Sequence, residues 1–224
     1  MRGHHVRAVL FDWDGTLADT SDASYRCYVR TFEEFGIRFD RAEFERTYSP
    51  DWYHTYRCVG LPEQQWPGAD ARWLAHFSGE MIELVPGARA ALEFLDAHGV
   101  KKGIVTSGTR DRIERELAAH GLAFDDVVCG TDLPERKPHP AGLELCLQRL
   151  GIAAEEAVYV GDSPEDILMA RAGNVRVVAV RGGYPNARAL EAAQPDLLAN
   201  DLRTAVEWAV SSERSEGSVW TGVS

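Results

Sequence analysis

Four short stretches, far apart in the chain, carry residue types that could do chemistry together. They are "FDWDGT" at 11–16, "VTSG" at 105–108, "KPHP" at 137–140 and "VGDSPED" at 160–166. Asp12 and Asp14 follow directly on the apolar run "VRAVLF". The two-residue repeat of an extended strand points both carboxylates to one side and Trp13 to the other. Like charges that close are unfavourable unless one takes a proton or a cation neutralises them. Asp162 and Asp166 enlarge the cluster, and a set of hard oxygen ligands with room for water and phosphate suits Mg²⁺. Each stretch alone has a plainer reading. Asp-x-Asp is also an acidic surface turn, "GDSPED" is also a helix start with acids in its first turn, and a lone lysine is usually a solvated charge. The combination is what points to a reaction.

The elements that must position these residues can be read from the hydrophobic pattern. From about residue 86, short apolar runs ("KKGIVT", "DVVCG", "AVYVG", "VRVVAV", "DLLA") alternate with helical patterns such as 110–121 and 138–150. That alternation predicts an α/β fold, a parallel sheet with helices on both faces, and "VRAVLF" belongs to it as a buried strand. In such sheets ligands bind beyond the carboxyl ends of the strands. Asp12, Asp14, Thr106 and Asp162 all sit at strand ends, and Lys137 lies in a loop before a helix. The segment 19–85 breaks the rhythm. Tyr25, Val29, Phe32 and Phe35 recur at helical spacing after Thr20-Ser21-Asp22, "RAEFERTY" and "EQQWPGADARWLAHFSGEMIEL" are helical, and no strand stands out. It reads as an all-helical insert.

Composition narrows the class. A net charge of −11 argues against nucleic acid as a partner, because phosphate backbones demand a basic face. No apolar run approaches the ~18 residues of a spanning helix, and "MRGHH" leaves no room for a signal peptide, so no membrane partner is expected. Cys27, Cys58, Cys129 and Cys146 show no metal or disulfide spacing, as for reduced thiols in a cytoplasmic protein. His4 and His5 read as a frayed terminus or a tag-like remnant, and 211–224 as a disordered tail.

Taken together and in this order, the four stretches resemble the haloacid dehalogenase-like (HAD) hydrolase superfamily. The resemblance covers roughly residues 6–210 and is nearest the subgroup of phosphoglycolate phosphatase and β-phosphoglucomutase. It implies a three-layer Rossmann-like core (1–18 plus 86–210) with a small helical cap (19–85) inserted after the first motif. It also implies roles: Asp12 as nucleophile forming an aspartyl-phosphate, and Asp14 as general acid and base. Thr106, with the backbone N–H groups of Ser107 and Gly108, would hold the phosphoryl oxygens, and Lys137 would neutralise charge. Mg²⁺ would be held by Asp12, the Asp14 carbonyl and Asp162, with Asp166 acting through water. Within the family, Asp14 argues against dehalogenation. The absence of lysine from residues 1–100 argues against a phosphonatase Schiff base. Ser24 occupies the place where β-phosphoglucomutases carry a histidine. The expectation is therefore a Mg²⁺-dependent phosphatase for a small phosphorylated metabolite, phosphoglycolate-like or a sugar phosphate, working as monomer or homodimer. The alternatives are a phosphosugar mutase and a weakly active regulatory binder. Arg26, Arg30, Arg38, Arg41, Arg46, Arg57 and Arg72 are candidate contacts for a second anionic group, and His54, His76, Trp66 and His139 read as packing or surface. Connections near 17–21 and 83–87 would form a hinge.

Overall fold

A computed structural model describes residues 5–49 and 52–211. In chain order the elements are β1 (Ala8–Phe11), β2 (Ala18–Asp19), α1 (Ser21–Glu34), α2 (Arg41–Thr47), α3 (Trp52–Cys58), α4 (Trp66–Ser78), β3 (Glu83–Leu84), α5 (Ala88–Ala97), β4 (Lys101–Val105), α6 (Arg110–His120) and β5 (Asp126–Val128). They continue as α7 (Ala141–Leu150), β6 (Ala157–Gly161), α8 (Pro164–Ala172), β7 (Arg176–Val180), α9 (Ala187–Ala192), β8 (Leu197–Ala199) and α10 (Leu202–Ser211). Six strands form one parallel sheet in the order β5-β4-β1-β6-β7-β8, which is the α/β Rossmann-like architecture expected.

Alternation along β1 assigns its residues to two cores. Ala8 and Leu10 pack with Tyr159, Val177 and α7 residues Leu143, Cys146 and Leu147 on one face. Val9, Phe11 and then Trp13 pack with α5, α6 and α10 residues such as Leu92, Leu95, Ile113 and Val206 on the other. Both sheet faces are thereby covered, as a parallel sheet with near-continuous apolar strands requires. Gly103 is needed where it stands, because a Cβ there would run into Leu10 and Cys146.

Between β2 and β3, α1–α4 hold a third cluster of their own, built on Tyr28, Phe32, Phe39, Phe44, Tyr56 and Leu61. Its rings meet mostly at tilted or edge-on angles (Phe32–Phe39 at 4.9 Å and 65°, Phe32–Tyr56 at 5.7 Å and 78°), arrangements worth about 0.5–1.5 kcal/mol each beyond burial. Among the described residues, arginines singled out from this segment pair with carboxylates: Arg26 and Arg30 with Glu80, Arg41 with Asp22, Arg46 with Glu43 and Arg72 with Glu34.

Three boundaries differ from the sequence reading. The helix expected from Pro138 begins at Ala141, because Pro140 disfavours helical geometry at His139. His139 instead accepts a bond from the Ala141 N–H through Nδ1 (3.2 Å). The helix read through 63–84 breaks into a 3-10 turn at Glu63–Gln65, α4 and then β3. The strand pair β2–β3 joins the two ends of the helical segment antiparallel, with Ala18 opposite Leu84 and Asp19 opposite Glu83. Two-residue strands leave no periodicity to detect. Ser211 closes α10, and the rest of the expected tail, 212–224, lies outside the described residues, as does His4. The four cysteines are unpaired. No helix of the described residues is long and apolar enough to cross a membrane.

Candidate active site

The site grows from three neighbouring strand ends. Phe11 is in register with Ile104 of β4 and Val160 of β6, so the residues that follow emerge side by side. The Asp12 N–H still donates to Val160 O (2.9 Å), and the Thr106 N–H to Val128 O (3.0 Å). The chain then leaves the sheet through Gly15 at φ +78°, a left-handed conformation open to glycine at little cost. A Cβ there would also collide with the Asp162 carboxylate and Tyr184.

Lys137 closes the centre. Its Nζ donates to Asp12 Oδ1 (2.7 Å), Asp166 Oδ1 (2.7 Å) and the Tyr159 hydroxyl (2.8 Å). That uses all three ammonium protons. The Tyr159 hydroxyl in turn donates to the Val105 carbonyl (2.8 Å), tying the lysine to the strand end that carries Thr106. Asp166 Oδ2 accepts from Ser163 Oγ (2.7 Å) and from the N–H groups of Ser163 (3.1 Å) and Asp162 (3.2 Å). The first turn of α8 is therefore capped and paired with Lys137 at once. The plainer reading of "GDSPED", a helix start with acids in its first turn, holds for Asp166, which in addition pairs with Lys137. Asp162 receives Thr16 Oγ1 at 3.3 Å, and its carbonyl receives Asn186 Nδ2 at 2.7 Å. Gly15 and Gly182 pack against its carboxylate so closely that neither could carry a Cβ.

Asp12, Asp162 and Asp166 are buried, and one oxygen from each lies within 4.8 Å of the others. Burial pushes the Asp12 carboxyl well above its ordinary range. Lys137 opposes this and the charges of Asp166 and Asp14 add to it. Burial also raises Asp162, helped by Asp12 and Asp166. For Lys137, burial alone would favour the neutral amine, but the Asp12 and Asp166 carboxylates outweigh it and keep the ammonium charged. One lysine faces three acids, so the pocket holds surplus negative charge that a divalent cation would offset. The donor set is all oxygen, which suits Mg²⁺. Asp166 has its oxygens engaged by protein groups, so Asp12 and Asp162 are the carboxylates best placed to hold the ion directly.

The remaining residues named from sequence are distributed around this centre. Thr106 is buried and accepts the Gly108 N–H (3.1 Å), and Ser107 is exposed beside it. Gly108 O accepts from Gly130 N (2.9 Å), which pins the loop. The Asp14 carboxylate is not part of the Asp12, Asp162 and Asp166 cluster and enters a two-bond fork with Arg112 of α6 (2.9 and 2.5 Å). Trp13 is fully buried, and its indole N–H donates to Glu116 Oε2 (2.6 Å). His139 is exposed and serves the start of α7.

Four site residues were not legible in advance. Tyr159 sits in an apolar strand, and no spacing rule gives its reach to Lys137. Arg112 and Glu116 look like ordinary surface members of a charged helix. Tyr184 follows β7, its hydroxyl meets Thr20 Oγ1 (3.0 Å) and Ser24 Oγ (2.9 Å), and its ring stacks on Tyr48 at 4.5 Å. A "GGY" after the fourth central strand was the available signal, since that strand end also faces the site.

Residues 9–180 match the family model described as haloacid dehalogenase-like hydrolase. A phosphoglycolate phosphatase of Rhodospirillum rubrum is 32% identical over 80% of this chain and 80% of its own length. The pyrophosphatase PpaX of Oceanobacillus iheyensis is 26% identical over 88% of this chain and 94% of its own. Among solved structures, CbbY from Rhodobacter sphaeroides in complex with phosphate superposes with a TM-score of 0.69 at 26% identity, covering 88% of this chain and 95% of that one.

Proposed function

The chain belongs to the haloacid dehalogenase-like hydrolase family and is a hydrolase of phosphate esters, and from that premise we propose a Mg²⁺-dependent phosphatase acting on a small phosphorylated metabolite through an aspartyl-phosphate on Asp12. The observation that carries this reading is the Asp12 carboxylate held by Lys137 at 2.7 Å at the end of a central strand. Uncatalysed phosphate monoester hydrolysis is extremely slow, and a carboxylate nucleophile divides it into two easier displacements. In the first, an Asp12 oxygen attacks phosphorus, the bond to the leaving oxygen breaks, and protonated Asp14 supplies that oxygen's proton. In the second, Asp14 takes a proton from water as the water attacks phosphorus. The Asp12–phosphorus bond breaks, releasing inorganic phosphate and the free carboxylate.

Lys137 offsets the charge carried by Asp12 and the transferring phosphoryl group, which the transition state spreads over three oxygens. Thr106 and the N–H groups of Ser107 and Gly108 are assigned to those oxygens. Mg²⁺, held by Asp12, Asp162 and the Asp14 carbonyl with Asp166 acting through water, would supply electrostatic stabilisation of the phosphoryl charge. Residues 19–85 are read as a cap over a core of 1–18 and 86–210. A mutase would require the acid/base histidine whose place Ser24 takes. Here the Ser24 hydroxyl is committed to Tyr184 at 2.9 Å. Phosphoglycolate, pyrophosphate and sugar phosphates are the substrate classes to rank by kcat/KM.

The first test is turnover of p-nitrophenyl phosphate with and without Mg²⁺. Wild type should require the metal, and Asp12→Asn should lose activity by at least on the order of 10³-fold. Turnover unaffected by the substitution would reject Asp12 as nucleophile. A protein that binds phosphometabolites without turnover would be a regulatory binder.

A further inference from the structure

The fork between Arg112 and Asp14 belongs to none of the four motifs. Arg112 projects from the first turn of α6, and its guanidinium binds both Asp14 oxygens, Nη1 to Oδ1 at 2.9 Å and Nη2 to Oδ2 at 2.5 Å. Planar two-point pairing of this kind fixes direction as well as charge. Three neighbours then fix the guanidinium itself. Glu116, one turn along α6, lies 3.4 Å from Nη1 through both oxygens. The Phe77 ring of α4 lies with its centre 5.2 Å from the guanidinium carbon. Gly108 leaves the space that the guanidinium fills, since a Cβ there would strike Arg112 Nη2.

Trp13 completes the frame. It stands between Asp12 and Asp14 in the chain, and its indole N–H donates to Glu116 at 2.6 Å. The acid that steadies the arginine therefore also anchors the peptide linking the two carboxylates. Burial raises the Glu116 carboxyl above its ordinary value, against the opposing pull of Arg112 and Trp13. The whole assembly is shielded, with side-chain exposures of 15% for Arg112 and 9% for Glu116 against 28% for Asp14. The exposed end of the array is thus the carboxylate, and its support is buried.

We propose that Arg112 is the positioning residue for Asp14, with Glu116, Trp13 and Phe77 holding its fork in place. The inference rests on the reading of Asp14 as proton donor and acceptor. A carboxylate on two free torsions must be kept within hydrogen-bond reach of the leaving oxygen, and small misplacements of such groups are costly. The fork uses one lone pair of each Asp14 oxygen and leaves the other for proton exchange.

The test compares two esters in the first turnover, before the intermediate hydrolyses. A p-nitrophenolate leaves without needing a proton, whereas an alkoxide must be protonated as it departs. Rapid-quench release of leaving group is measured for both with wild type, Asp14→Asn, Arg112→Met, Arg112→Lys and Glu116→Gln. Arg112→Met should slow leaving-group release from the alkyl ester by on the order of 10²-fold through the maximal first-turnover rate with KM little changed, while release from the nitrophenyl ester loses less than about a tenth of that factor. Arg112→Lys keeps the charge without the fork and should fall between. If Arg112→Met does not fold, by thermal unfolding, Glu116→Gln should show the same split on a smaller scale. Equal loss on both esters, or a change confined to KM, would overturn the positioning role while Asp14→Asn still shows the split. Absence of the split in Asp14→Asn itself would remove the premise instead.

Discussion

At the residue scale, the site is two charge arrays that share one turn of chain. Lys137 balances Asp12 and Asp166 on one side, and Arg112 balances Asp14 and Glu116 on the other. Removing a partner from a buried array is expected to cost more than the net worth of the array, because it strands the remaining charge. Lys137→Ala should therefore lower stability by about 3–5 kcal/mol, read from urea unfolding in the presence of a chelator, and abolish turnover as well. Loss of activity with an unchanged urea midpoint would show that the ammonium is not needed to hold the pocket. Asp12, Thr106, Lys137 and Asp162 were legible in the sequence because strand ends and motif order mark them. Arg112, Tyr159 and Tyr184 were not, because their roles come from contacts across 98, 22 and 164 positions of chain, which no local pattern encodes.

At the element scale, the parallel core was legible because each of its strands is a near-continuous apolar run bounded by turn residues. The β2–β3 ribbon and the start of α7 were not, the first being too short for periodicity and the second decided by a proline that restricts its predecessor. The helices of 19–85 are knitted by rings inside and ion pairs outside. Glu80 receives Arg26 (2.5 Å) and Arg30 (3.1 Å), and its own side chain is 8% exposed. The hydrogen bond from Arg26 leads the effects that hold the Glu80 carboxyl below its ordinary value of 4.5. A depressed carboxylate contributes stability above its unfolded value and loses it as pH falls through the folded one. Glu80→Gln is thus expected to cost about 1 kcal/mol at neutral pH, and its melting curve should converge with wild type in acid below that range. A difference independent of pH would assign the effect to packing rather than charge.

At the scale of the whole molecule, two connections tie the helical segment to the sheet, and they pair with each other at β2–β3. The Tyr184–Tyr48 stack and the Tyr184 bonds to Thr20 and Ser24 add a second point of attachment beside Asp14. Closing such a segment would exclude water before phosphoryl transfer. Structures with and without a phosphate analogue should differ by a rotation of α1–α4 about residues 17–21 and 83–87, with the sheet unchanged. An unmoved segment in both would reject the gate. The proposed function turns on one covalent event, a phosphoryl group on Asp12, and its direct test is chemical trapping. Enzyme turning over a phosphate monoester with Mg²⁺ is quenched with borohydride, which reduces an aspartyl-phosphate to homoserine, and the peptide spanning β1 and Gly15 is sequenced by mass spectrometry. The predicted result is reduction at residue 12 alone, present with substrate and metal and absent from Asp12→Asn. Full turnover with residue 12 unmodified would contradict it.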